Sequence, residues 1–240
     1  MPKTYLFEVC AINIQSASIA EQAGAQRIEL CSALDVGGLT PSPGLILQAV
    51  RSLNIAVNVL IRPREGNFCY SDQELDVMLE DIRFCRLAGA NGVVVGALDE
   101  KGNLDLPILR ALKTGAGEME IVHHRAFDFC NNPSEALEQL IELGYHRVLS
   151  SGQSNSAFEG RHLLKKLVDQ AAGRISVMPG AGIDARTIGP IARETGALEF
   201  HFTGKVKIDP SAGNAIKGLD SWYWQSDEAT IRQIIEAAQA

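Results

Sequence analysis

Short runs rich in β-branched and aromatic residues alternate along the chain with longer stretches whose apolar positions repeat at helical spacing. The runs 6–9, 27–30, 56–61, 92–95, 120–123, 147–149, 175–178 and 199–202 read as strands. The stretches 16–23, 43–52, 72–87, 106–114, 133–143, 157–172, 184–194 and 227–240 read as helices. Ser16 or Ser18 is the expected N-cap of the first helix, and Asp184 that of the penultimate one. A helix–glycine–strand junction is written four times, at Gly24, Gly89, Gly144 and Gly196. Glycine suits that place because it ends a helix in the left-handed conformation without a Cβ penalty.

Those glycines are 65, 55 and 52 residues apart, and each interval has room for one further strand. Eight strands alternating with helices predict an α/β fold, a single (β/α)8 barrel of the TIM type. The barrel core would span about 5–204 of one domain over 1–240, with a Gly-rich, irregular extension at 205–226 and a closing helix. The rival is an open doubly wound sheet, but no G-x-G-x-x-G follows the first strand, so no nucleotide cofactor is expected. The extension ends in Ser221-Trp222-Tyr223-Trp224, an aromatic cluster suited either to plugging the barrel or to packing on a second subunit.

Composition narrows the function class. Apolar residues make up 46% of the 240, enough for a sizeable core, and the net charge is −7 without a basic cluster. Nucleic acid is therefore not an expected partner, and with no long apolar run neither is a membrane. Five widely spaced cysteines (Cys10, Cys31, Cys69, Cys85, Cys130) with no C-x-x-C pair read as reduced thiols of a cytoplasmic protein.

In a barrel of this type the chemistry sits at the C-terminal ends of the strands. The first two strands deliver Glu8 with Cys10, and Glu29 with Cys31, an acid and a thiol on one face of each. The third ends in Arg62-Pro63-Arg64, a stiff pair of guanidiniums suited to a phosphate or carboxylate. The structural alternative is an Arg paired with a neighbouring carboxylate such as Glu29. After the fifth strand come His123, His124, Arg125 and Asp128, which can act as acid, base and anion holder.

Ser151 and Gly152 follow the sixth strand. The loop Gly180-Ala181-Gly182 follows the seventh and feeds a helix N-terminus, where backbone N–H groups favour an anion. On the eighth, Glu199 and His201 share a face, and Lys205 reaches the same rim. One reading of these strand ends is an enzyme acting by acid–base chemistry on a small phosphorylated or carboxylated metabolite. Glu8, Glu29, His124, Arg125 and Asp128 are then the catalytic candidates. Arg62, Arg64, Ser151, Gly152, Gly180 and Gly182 are the anion-binding ones.

Cys10 and Cys31 end adjacent strands in the inward register, so their sulfurs can approach one another. Two close thiolates suit a soft ion such as Cu(I), with His as a third ligand; otherwise each thiol is a small buried hydrophobe.

The strings F-E-V-C, G-A-Q-R-I-E-L-C, G-G-L-T-P-S, I-R-P-R, H-R-A-F-D, S-S-G, M-P-G-A-G-I and E-F-H stand in this order between residues 5 and 202. The ordered set resembles the CutC copper homeostasis family. That resemblance implies a cytosolic (β/α)8 barrel linked to copper handling, commonly a homo-oligomer. It also implies that Cys10 and Cys31 occupy the positions of the family's copper-linked cysteines, with Glu8, Glu29, Arg62, Arg64, His124, Arg125 and Asp128 around a polar mouth. Against the family pattern, Asn67 replaces an acid and His123 an aromatic residue. Gln153 and Ala181 replace glycines, and Phe202-Thr203 replaces small residues. Copper, or a small anionic metabolite, is thus the expected ligand.

Overall fold

A computed structural model describes residues 4–209 and 222–239. Eight strands form one parallel sheet: β1 (Leu6–Ala11), β2 (Arg27–Leu30), β3 (Ala56–Leu60), β4 (Gly92–Val95), β5 (Glu120–His123), β6 (Arg147–Ser150), β7 (Ser176–Pro179) and β8 (Glu199–Phe202). From β1 to β7 each strand pairs with the next in sequence, and β1 also pairs with β8. A parallel bridge between Gly180 and His201 links β7 to β8 and brings the ring to closure.

The connections are α1 (Ile14–Gln22), α2 (Pro43–Ser52), α3 (Asp72–Ala88), α4 (Leu106–Ala116), α5 (Pro133–Glu142), α6 (Arg161–Ala171) and α7 (Ile188–Thr195); α8 (Glu228–Gln239) follows the extension. This is the (β/α)8 barrel that the alternation predicts. Gly89 and Gly196 end α3 and α7 with φ of 87° and 75°, the left-handed exit that glycine makes cheap.

Alternation along the strands divides the core in two. Residues such as Val9, Ile28, Val59, Val93, Ile121, Val148, Val177 and Phe200 face outward and pack under the helices. Cys10, Cys31, Leu60, Val94, Val122, Leu149 and Met178 form a separate apolar layer inside the barrel. Beneath that layer, at the strand starts, the interior is ionic. Arg27 bridges Glu8 (2.5 Å) and Glu199 (2.6 Å), and Arg147 bridges Glu199 and Glu120, both at 2.6 Å. The acids and thiols of β1 and β2 therefore stand on a charged floor.

Some local expectations need correction. The N-cap of α1 is Asn13, whose side chain accepts from Ser16 N–H; Ser16 uses its hydroxyl to receive Ser226 N–H instead. Asp184 lies four residues ahead of α7 and holds the preceding turn, accepting from the N–H groups of Arg186 and Thr187. The stretch 205–226 is not wholly irregular: β9 (Lys205–Ile208) and β10 (Tyr223–Ser226) form an antiparallel pair. Residues 210–221 of that expectation lie outside the described residues. Trp222 and Trp224 meet edge to face at 5.3 Å, and Trp224 donates to Asp35 in the loop after β2. The aromatic pair thus braces the barrel's own rim.

Candidate functional site

The C-terminal mouth opens into a cavity of about 320 Å3. Its wall carries Cys10, Glu29, Cys31, Arg62, His124, Arg125, Gly182, His201 and Lys205, drawn from six of the eight strand ends. The register explains the thiol pair. Cys10 lies opposite Glu29 and Ala11 opposite Leu30, so Cys31 stands diagonally across from Cys10 on the inner face. Their sulfurs are 3.5 Å apart. Gly38 keeps this corner open: a Cβ there would come within 2.7 Å of Leu60 Cδ2 and 3.6 Å of Cys31 Cβ.

His201 is the hub that the residue pattern underrates. Its Nδ1 lies 2.8 Å from the buried Glu8 carboxylate, and its Nε2 3.8 Å from Glu29. One ligating atom from each of Cys10, Glu29 and His201 lies within 4.8 Å of the others. Burial pulls the His201 pKa down. The Glu29 charge and hydrogen bonds with Cys10 and Glu8 outweigh it and carry the imidazole well above its ordinary value. Burial also works to raise Glu8, yet the Arg27 guanidinium and the His201 hydrogen bond bring its carboxyl down to about 2. For Glu29, burial dominates and the carboxyl is raised. The hydrogen bond with Cys31, then burial, pushes the Cys10 thiol well up.

The sequence candidates separate into two neighbourhoods and an outlier. Glu8 lies fully buried one layer beneath the cavity, among Arg27, Asn58 and His201, rather than on its wall. Arg62 and Arg64 do not act as a fork. Arg62 turns inward and donates to the carbonyls of Val36, Gly38 and Gly66. Arg64 turns outward to Glu74 and the carbonyls of Glu65, Asn67 and Cys69.

Asp128, Ser151 and Gly152 form a knot beside the cavity. The Asp128 carboxylate accepts from Ser150 Oγ (2.6 Å), Ser151 Oγ (2.9 Å) and the N–H groups of Ser151 and Gln153. An internal carboxylate therefore already fills the place that these loop N–H groups offer to an anion. Arg125 joins the two neighbourhoods, donating to Asp128 and Ser151 while lining the cavity.

Gly180 packs tightly: a Cβ there would lie 2.4 Å from Leu149 Cδ1 and 3.3 Å from His201 Cβ. Gly182 reaches the cavity wall. Ala181 and Gln153, which the resemblance reads as replacing glycines, both adopt positive φ, 88° and 55°. The loops keep the glycine-type path with Cβ atoms on it.

Arg27, Arg147 and Glu120 were not among the sequence candidates. Their signal was available: charged residues on strands, with Arg27 two positions from Glu29 and so on its face.

Residues 5–206 match the CutC family. A CutC family protein of Pasteurella multocida is 46% identical over 95% of this chain and 96% of its own length. The human copper homeostasis protein cutC homolog is 48% identical over 85% of this chain and 75% of its own. The crystal structure of a copper homeostasis protein CutC from Streptococcus agalactiae superposes with a TM-score of 0.80 at 36% identity, covering 83% of this chain and 99% of that one. On the match across the barrel and these relatives, the chain belongs to the CutC family.

Proposed function

We propose that this protein serves copper homeostasis by holding Cu(I) as cargo between the sulfurs of Cys10 and Cys31, with His201 as the third donor. The observation that carries the reading is the thiol pair, 3.5 Å apart and buried at the base of an open cavity. Thiolate and imidazole are the donors a soft monovalent copper ion prefers. Leu60, Val94, Val122, Leu149 and Met178 pack with the two thiols as an apolar layer, which suits soft donors better than hard ones. The names borne by the human and streptococcal relatives support the same assignment.

Binding must displace the proton of the Cys10 thiol, whose pKa is raised, and that of an imidazole held between two carboxylates. Affinity therefore rises with pH. A cytosolic site for this activity, with the cysteines reduced, and a homo-oligomeric assembly belong to the same reading.

Titration of Cu(I) against a competing chelator tests it on wild type and on the Cys10→Ser/Cys31→Ser double variant. Loss of a supporting contact alone weakens metal sites by about 10–100-fold, so removal of both sulfurs should exceed that range. Equal affinity in the two proteins, both folded by circular dichroism, would end the proposal.

A further inference from the structure

The cavity has a second polar corner, on β3 and β5, that copper does not use. His124 is 5% exposed and lies on the cavity wall. Its Nδ1 accepts the Ala126 N–H at 3.1 Å, so the neutral ring carries its proton on Nε2. That Nε2 is buried and has no hydrogen-bond partner among the described residues. A Cβ on Gly96 would sit 2.5 Å from the ring, so the missing side chain at 96 is the space the imidazole occupies. Phe68 packs on the ring at 5.0 Å and also lies under the Arg62 guanidinium at 5.1 Å.

Arg62 is the other half of the corner. It is 6% exposed and lines the same wall, and its terminal nitrogens donate to backbone carbonyls rather than to a carboxylate. Among the described residues no carboxylate pairs with this guanidinium, and a buried charge without such a partner is costly unless an anion lies nearby. Lys205 adds positive charge on the same wall, where Arg125 is paired with Asp128 and Glu29 is the acid. Burial, then the charges of His123 and Arg62, holds the His124 pKa well below the ordinary imidazole value. The ring is thus kept as a neutral N–H donor. A buried donor and a buried cation, both without such partners among the described residues, together recognise an anionic oxygen.

We propose that the mouth of the barrel is a binding site for a small oxyanion-bearing metabolite, a carboxylate or a phosphate ester, whose oxygen accepts from His124 Nε2–H beside Arg62. The volume of about 320 Å3 lies at the lower end of small-molecule sites, so the ligand is small. The site uses β3 and β5, not the Gly-rich loop after β7 where barrels of this type often hold phosphate.

Metal-free full-length protein, reduced at neutral pH, is titrated separately with inorganic phosphate and with acetate, following the imidazole 15N resonances. Saturable binding of phosphate supports a phosphoryl ligand, and saturable binding of acetate a carboxylate; either should shift the His124 Nε2 resonance. His124→Asn keeps an acceptor for Ala126 N–H while deleting the Nε2 donor, and should weaken the bound anion by about tenfold or more. The idea is overturned if neither anion binds, if the variant binds as tightly as wild type, or if the His124 proton resides on Nδ1. Should the variant fail to fold, the wild-type imidazole spectrum and titration decide alone. Because no copper is present and His124 is not a proposed copper ligand, failure here leaves the thiol site standing, and the reverse holds too.

Discussion

Glu8 has no solvent exposure, yet its carboxylate meets Arg27 at 2.5 Å and His201 at 2.8 Å. Removing it leaves two buried cationic groups short of a partner, and breaking a buried pair in this way costs about 3–5 kcal/mol. Glu8→Ala should therefore lose stability of that order in urea denaturation; a loss under about 1 kcal/mol would contradict the role given to the ionic floor. The sign with pH follows from the depressed carboxyl. Its folded pKa of about 2 lies below its ordinary value of 4.5, so its contribution is present above pH 4.5 and lost as pH falls toward 2. Acid unfolding of wild type should contain this step, and Glu8→Gln should flatten it. Ala181 offers a test in the opposite direction. At φ 88° its Cβ is strained, and Ala181→Gly should raise stability by about 0.5–1 kcal/mol in thermal melts, relief of strain outweighing unfolded-chain entropy.

At the scale of elements, caps and turns explain why the helices begin where they do. Asn13, not Ser16, caps α1, because a side chain just outside the first turn can reach Ser16 N–H at 2.7 Å. Asn13→Ala should lower stability by about 1 kcal/mol by melting temperature, the usual cost of a lost N-cap. Strand identity was legible because each strand is a short run rich in apolar residues, and four of the eight are preceded by a helix-ending glycine. The hairpin of β9 and β10 was not legible. Its strands pair across 14 intervening residues; Lys205–Ile208 alternates but for only four residues, and its partner Tyr223–Ser226 does not alternate.

Across the whole molecule, the chain's end returns to its beginning. Trp224 donates to Asp35 at 2.7 Å, and Lys205 lies over the Trp224 ring at 3.9 Å. The extension thereby braces the loop carrying Gly37 and Gly38, whose carbonyl holds Arg62. Trp224→Phe deletes the hydrogen bond while keeping much of the packing. Amide exchange at 34–38 and 205–208 should then quicken with core strands unchanged; unchanged exchange at the rim would refute the brace. No helix among the described residues is long and apolar enough to cross a membrane.

Periodicity along the chain determined the barrel itself, since a strand–helix alternation repeated eight times has few other ways to bury its apolar faces. The same alternation determined that Glu8, Cys10, Glu29 and Cys31 face inward, because side-chain parity on a strand is a local property. What they do there was decided by register and by contacts between residues far apart in sequence. Only the stagger of β1 against β2 brings the two sulfurs together, and only the pairing of β1 with β8 brings His201 to Glu8 across 193 positions. Only the fold separates Arg62 from Arg64 and gives Asp128 the loop N–H groups that looked ready for a ligand. Such choices rest on long-range geometry, which no local pattern of polar and apolar residues encodes.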